Sequence, residues 1–144
     1  MKIVVAADHG GYDIKQAIAK ALAEDGHEVT DLGTGNSVDS VDYPVFAKAL
    51  CGVLQRGEAE LGILCCGTGI GMSMAANKQR GIRAAALSDA YSAEMTRRHN
   101  NANVLCLGGR VIDSKKAVEL ARIFVATGFE GGRHQRRIDM LETL

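Results

Sequence analysis

The sequence predicts an α/β fold, a three-layer α/β/α sandwich around a five-stranded parallel sheet. Short apolar runs alternate strictly with stretches of helical periodicity, the pattern of strands joined by crossover helices. The runs are apolar throughout, as strands covered on both faces must be. Polar residues and glycines gather where those runs end, and in a parallel sheet these ends share one edge.

Ile3 to Ala7 reads as a buried strand that runs into Asp8-His9-Gly10-Gly11. Tyr12 to Glu24 follows as a helix with Ile14, Ile18 and Leu22 on one face, and Gly26 closes it. Glu28 to Leu32 is a short second strand, and Gly33 to Tyr43 is a polar loop. Pro44, the only proline, suits the first turn of the helix spanning Val45 to Leu54, which Gly57 ends. The third strand, Leu61 to Cys65, breaks into Gly67, Gly69 and Gly71 before a small-residue helix from Met72 to Lys78. Ile82 to Leu87 is the fourth strand, with Ser88 or Asp89 capping the helix that runs to His99. Val104 to Leu107 is the fifth, followed by Gly108-Gly109-Arg110. Ser114 is placed to cap a helix from Lys115 to Ala126, and a helical tail from Arg133 to Leu144 follows Gly131-Gly132. The expectation is one domain spanning 1–144, with no linker or repeat.

Composition bounds the function. The 144 residues are 47% apolar and 24% charged, ordinary for a globular chain. A net charge of zero gives no field for nucleic acid or an anionic membrane. With no Trp, three Tyr and three Phe, base-stacking platforms are not expected either. The amino-terminal apolar run is too short for a signal peptide, and no run approaches a membrane helix, so the expected place is the cytoplasm. Cys51, Cys65, Cys66 and Cys106 form no C-x-x-C pair, which indicates neither a zinc site nor a disulfide framework. Cys51 and Cys106 read as small core residues.

The stretch Cys65 to Asn77 (CCGTGIGMSMAAN) carries the strongest chemical signal. A strand that breaks into glycines and then a helix leaves backbone N–H groups unpaired beside the positive end of the helix dipole, a site for an anion or oxyanion. The spacing G-x-G-x-G places Met72 where a dinucleotide fingerprint needs a third glycine, and no G-K-[ST] follows. Cys66 stands at the strand's carboxyl end, where open α/β sheets hold ligands. It reads either as an inert strand-end residue or as a base or nucleophile, because a thiol at a helix N-terminus gains thiolate character. C-x5-R is absent, which removes a tyrosine-phosphatase loop.

The other candidates each have a plainer reading. Asp8 serves equally well as a helix cap, whereas glycines beside His9 expose its ring. Thr68 is a local cap or a holder of a substrate hydroxyl. His99 either complements a helix C-terminus or acts on a substrate. Arg133 and Arg137, four apart in the densest basic cluster, form a solvated face or a phosphate clamp. The four histidines are dispersed and no metal constellation is expected, nor any cofactor.

The segments Asp8–Gly11, Asp42-Tyr43-Pro44, Cys66–Gly71, Ala75–Lys78, Gly81–Ala84, His99-Asn100 with Asn103-Val104, and Gly131–His134 with Arg137 together resemble type B ribose-5-phosphate isomerases. The resemblance covers essentially the whole chain in order and spacing, and the wider family includes allose-6-phosphate and galactose-6-phosphate isomerases. It implies a Rossmann-like sheet, a homodimer or tetramer with the site shared between subunits, and interconversion of ribose 5-phosphate and ribulose 5-phosphate without metal. On the matching positions, Cys66 would move the proton between C2 and C1, and Thr68 and His99 would assist ring opening. His99 and Asn100 would come from the neighbouring chain. Asp8 would bind sugar hydroxyls, and the amides of Gly67, Gly69, Ile70 and Gly71 would hold the enediolate. His9, Arg133 and Arg137, with Arg110 from the neighbour, would take the phosphate, and the loop around Asp42 and Tyr43 would read sugar length. One branch of the family has a glutamate base at the place of Met72, so this chain falls in the thiol branch. Cys65 points to the opposite side of its strand and is expected only to pack. Outside this class stand a non-catalytic module for a phosphorylated ligand and, last, a redox protein using the adjacent thiols.

Overall fold

A computed structural model describes residues 1–144. In order the elements are β1 (Lys2–Ala7), α1 (Tyr12–Glu24), β2 (Glu28–Asp31), α2 (Tyr43–Gln55), β3 (Leu61–Cys66) and α3 (Ile70–Asn77). The rest are β4 (Ala84–Ala86), α4 (Ala90–Asn100), β5 (Val104–Gly108), α5 (Ser114–Ala126) and α6 (Arg133–Glu142). The five strands form one parallel sheet in the order β2-β1-β3-β5-β4. The expected architecture is therefore present.

Alternate residues of the central strands explain the apolar runs, because each face packs on its own helices. Ile3, Val5 and Ala7 meet Ile14 and Ile18 of α1 and Leu120 and Phe124 of α5. Val4 and Ala6 face the other way, onto Leu50 and Cys51 of α2 and Met72 and Ala76 of α3. Cys65 belongs to the first face and Cys66 to the second, as the strand alternation requires. The order of the strands reverses between β1 and β3, so the crevice beyond their carboxyl ends is where such sheets hold ligands.

Several boundaries differ from the sequence expectation, each for a local reason. The fourth strand is three residues, Ala84–Ala86, rather than Ile82 to Leu87. It is an edge strand, and the Asn77 side chain both donates to the Ala84 carbonyl (2.9 Å) and accepts from its N–H (2.8 Å). Arg83 N–H goes to the Asn103 side chain (2.8 Å) instead of to a strand. The helix after the glycines begins at Ile70, because Gly69 takes φ 81° and turns the chain a residue earlier than the last glycine suggests. Asp113, not Ser114, caps α5 by accepting from Lys116 N–H at 2.8 Å. Asp89 caps α4 through Ser92 N–H, also at 2.8 Å. The tail helix stops at Glu142 rather than Leu144. No helix is long and apolar enough to cross a membrane.

Candidate active site

Three strand-end turns meet at the carboxyl edge. Asp8, 8% exposed, accepts from the N–H groups of Gly10 (2.9 Å) and Gly11 (3.1 Å) through Oδ1. Asp8 thus braces its own turn and leaves Oδ2 for a ligand. Its N–H donates to the Cys65 carbonyl, joining the β1 turn to β3. A Cβ on Gly10 would sit 3.2 Å from Gly67 N, and one on Gly109 would collide with the Gly10 carbonyl. Only glycines let the turns after β1, β3 and β5 approach this closely.

His9 accepts from Val41 N–H at Nδ1 (3.2 Å). That donor assigns the proton of the neutral ring to Nε2, which has no partner within the chain and is free to donate. The Gly33–Tyr43 loop is thereby tied to the site.

In the loop after β3, Gly69 N–H donates to Cys66 Sγ (3.1 Å) and Ile70 N–H to Thr68 Oγ1 (3.3 Å). Of the six amides from Gly67 to Met72, only these two have a partner within the chain; Gly67, Thr68, Gly71 and Met72 keep theirs free. Of the amides expected to hold an oxyanion, those of Gly69 and Ile70 are directed at the loop's own side chains, and those of Gly67 and Gly71 are uncommitted. Tyr43 lies against the helix start, since a Cβ on Gly71 would be 2.7 Å from its Cζ. Arg110 donates its N–H to the Gly67 carbonyl (2.9 Å), and its Nη1 lies 3.0 Å from where a Gly67 Cβ would be.

The four thiols are not equivalent. Burial pushes Cys51 up to about 11. It pushes Cys65 and Cys106 well above the ordinary thiol value, with neighbouring thiols adding to the effect. Cys66 is buried too, 5% exposed, but it alone has its sulfur in the loop, accepting from Gly69 N–H.

The remaining candidates lie at the opposite edge. Helix α4 runs back from the carboxyl edge, so His99 and Asn100 end beside the start of β5. Arg83 Nε donates to the Asn100 carbonyl (3.0 Å), and Arg83 also pairs with Glu142 of α6 (2.6 Å). The Thr96 hydroxyl donates to Asn100 Oδ1 (3.2 Å), which leaves the Asn100 amide nitrogen free. Helix α6 packs on this end of α4, and the His99 ring stacks on that of His134. Arg133 and Arg137 share α6, are exposed, and have no carboxylate partner. A six-residue strand separates the two groups, about 20 Å.

Within one chain, Arg110 lies beside the glycine loop, whereas Arg133 and Arg137 share α6 and lie with His99 rather than with His9. The histidines are not all dispersed: His99, Glu130 and His134 bring ligand atoms within 4.8 Å of one another. The two rings are near-parallel, 14° apart with centroids at 4.3 Å, so a single ion could not lie in both ring planes. The set as placed is a stack rather than a metal cage. No spacing in the sequence could reveal it, because the rings come from separate helices.

The family model described as Ribose/Galactose Isomerase matches residues 3–141. Escherichia coli ribose-5-phosphate isomerase B is 42% identical over 143 residues, 99% of this chain and 95% of that one. The Clostridium thermocellum ribose-5-phosphate isomerase B structure superposes with a TM-score of 0.97 at 44% identity, covering 99% and 96% of the two chains. That of Mycoplasma genitalium ribose-5-phosphate isomerase B with bound ribulose-5-phosphate gives 0.93 at 40%, covering 99% and 94%.

Proposed function

The chain belongs to the ribose/galactose isomerase family, and from that premise we propose that it is a sugar phosphate isomerase converting ribose 5-phosphate to ribulose 5-phosphate. The observation that carries the reading is the Cys66 sulfur at the mouth of a loop with four uncommitted amides.

A proton on C2 of an aldose is a poor acid unless charge developing on the carbonyl oxygen is stabilised. In this reading Cys66 Sγ removes the C2 proton, and the electron pair moves to form the C1–C2 enediolate. The C2 hydroxyl proton passes to the C1 oxygen, and a proton exchanged with solvent at the sulfur is delivered to C1, leaving a hydroxyl on C1 and the ketone at C2. Free amides at Gly67, Thr68, Gly71 and Met72 supply fixed donors to the oxyanion. Loss of one such donor typically costs about 3 kcal/mol of transition-state stabilisation. The Gly69 N–H holds the sulfur in place and gives it a donor when it carries charge. In the same reading Asp8 Oδ2 takes sugar hydroxyls, and Tyr43, which lies against the start of α3, stands beside the loop.

The phosphate and ring-opening groups complete the site only if a second copy supplies them. His9 Nε2 and Arg110 come with Cys66; His99, Asn100, Arg133 and Arg137 come from the opposite edge of the second chain. A two-fold homodimer brings each edge to the other and forms two such sites, and a tetramer pairs two dimers. Phosphate binding by the arginines then contributes energy remote from the reacting carbons.

Turnover in heavy water tests the reaction. Deuterium should enter C2 of recovered ribose 5-phosphate; retention of the original hydrogen would mean a hydride shift and end the proposal. Cys66→Ala should abolish turnover and keep phosphosugar binding. A panel of five- and six-carbon aldose phosphates decides the sugar, and binding without isomerisation of any of them would favour a non-catalytic module.

A further inference from the structure

We propose that His134 is a positioning residue for His99: its buried imidazole, backed by Glu130, sets the His99 ring for opening the cyclic sugar. The inference rests on the isomerase reading above.

His134 is 7% exposed and its ring lies flat beneath that of His99, with centroids 4.3 Å apart. A stack fixes the tilt and depth of the upper ring but leaves both its nitrogens free in their own plane. A hydrogen bond to His99 would occupy one of the two atoms that proton transfer needs. The support beneath is itself fixed. His134 N–H donates to the Gly131 carbonyl, Glu130 N–H donates to the Arg98 carbonyl next to His99, and Arg97 Nε donates to the Thr127 carbonyl. The segment before α6 is thereby stitched to the end of α4.

The second observation concerns charge. His134 Nε2 is buried without a hydrogen-bond partner, and the nearest carboxylate oxygen, Glu130 Oε2, is 3.4 Å away. The charged neighbours are Arg98, paired with Glu94 at 2.7 Å and 3.9 Å from Glu130, and Arg133 beside His134 in sequence. Glu130 is the carboxylate at the stack. It therefore offsets the positive charge that appears when His99 takes the C1 hydroxyl proton, as the bond from C1 to the ring oxygen breaks, C1 becomes the aldehyde carbon and the ring oxygen leaves with a proton from water. Helix α6 also carries Arg133 and Arg137, so the stack holds the ring-opening group and the phosphate clamp as one unit.

The two directions of the reaction separate positioning from folding. Ribose 5-phosphate is a ring that must open, whereas ribulose 5-phosphate, with its C5 oxygen esterified, is acyclic. In the full assembly, His134→Ala should lower kcat for ribose 5-phosphate about tenfold, a fraction of the usual contribution of a general acid–base group. Deuterium exchange into C1 of ribulose 5-phosphate should stay within about twofold. His134→Phe, which keeps a flat face and the volume, should recover most of the loss. Equal loss in both directions, an unaffected His134→Ala, or a folded His134→Phe no better than His134→Ala would each overturn the proposal. Wild-type protein that exchanges no hydrogen with either sugar would instead overturn the isomerase reading.

Discussion

Cys66 and His99 sit at opposite edges of the same sheet: one ends β3 at the carboxyl edge, the other lies in the last turn of α4, beside the start of β5. No movement within one chain joins them across a strand's length. If both act on one substrate, they come from different copies. Cys66→Ala and His99→Asn variants should each be inactive alone. Mixed in equal amounts, unfolded and refolded together, they should recover about a quarter of wild-type activity, because half the dimers are mixed and each has one intact site. Absence of recovery in a mixture proven to form mixed dimers would remove the shared site.

The thiols give a second test. Cys51, Cys65 and Cys106 are buried with raised values, so in the folded protein they stay protonated through neutral pH, Cys51 up to about 11. Iodoacetamide at neutral pH should modify Cys66 alone, with the other three reacting only on unfolding; mass spectrometry of digests reads this. Stability follows in sign. Above the ordinary thiol value the unfolded chain releases protons that the folded one keeps, so the folded state loses about 1.4 kcal/mol per pH unit for each such thiol. Urea unfolding should therefore show stability falling as pH rises from about 9 towards 11, and Cys51→Ala should make that fall shallower.

Much of the fold was legible because local pattern and tertiary structure agree. The apolar runs are buried strands, and all five appear in place. The glycine turns carried the carboxyl-edge half of the site, since Asp8, His9, Cys66, Thr68 and Arg110 each follow a strand directly. A site shared between subunits came only from the resemblance, and no pattern in the sequence showed where α6 docks: it packs on the end of α4, through a His99–His134 stack between residues far apart in sequence. Strand four was overestimated because Asn77 substitutes for a neighbouring strand at an open edge. Buried Lys15 gave no sign either, lying on an ordinary helical stretch.

Gly71 and Tyr43 are matched in shape. A Cβ on Gly71 would be 2.7 Å from Tyr43 Cζ, so Gly71→Ala must push the ring aside or strain the first turn of α3. The expected destabilisation is about 1–3 kcal/mol, the usual range for overpacking. Adding Tyr43→Ala should relieve most of it, giving a coupling energy of opposite sign to the single effects. Thermal or urea unfolding of the four proteins closes the cycle; additive losses would place the strain elsewhere.

Lys15 and Asp31 form an ion pair whose two sides are unlike. The ammonium is 2% exposed and 2.7 Å from a carboxylate that is 38% exposed and also accepts from Gly33 N–H. The pair joins α1 to the end of β2, and the Gly33 carbonyl and Thr34 N–H bond in turn to Ala7, just before Asp8. Removing the carboxylate leaves a buried cation without a counter-charge, whereas removing the cation leaves a carboxylate that water and Gly33 can still satisfy. Asp31→Ala should therefore cost about 3–5 kcal/mol and Lys15→Met less than about 1 kcal/mol. Urea unfolding near pH 7 measures both. Equal losses would mean that the pair matters through its attraction, and the reverse order would mean that Lys15 holds α1 by packing rather than by charge.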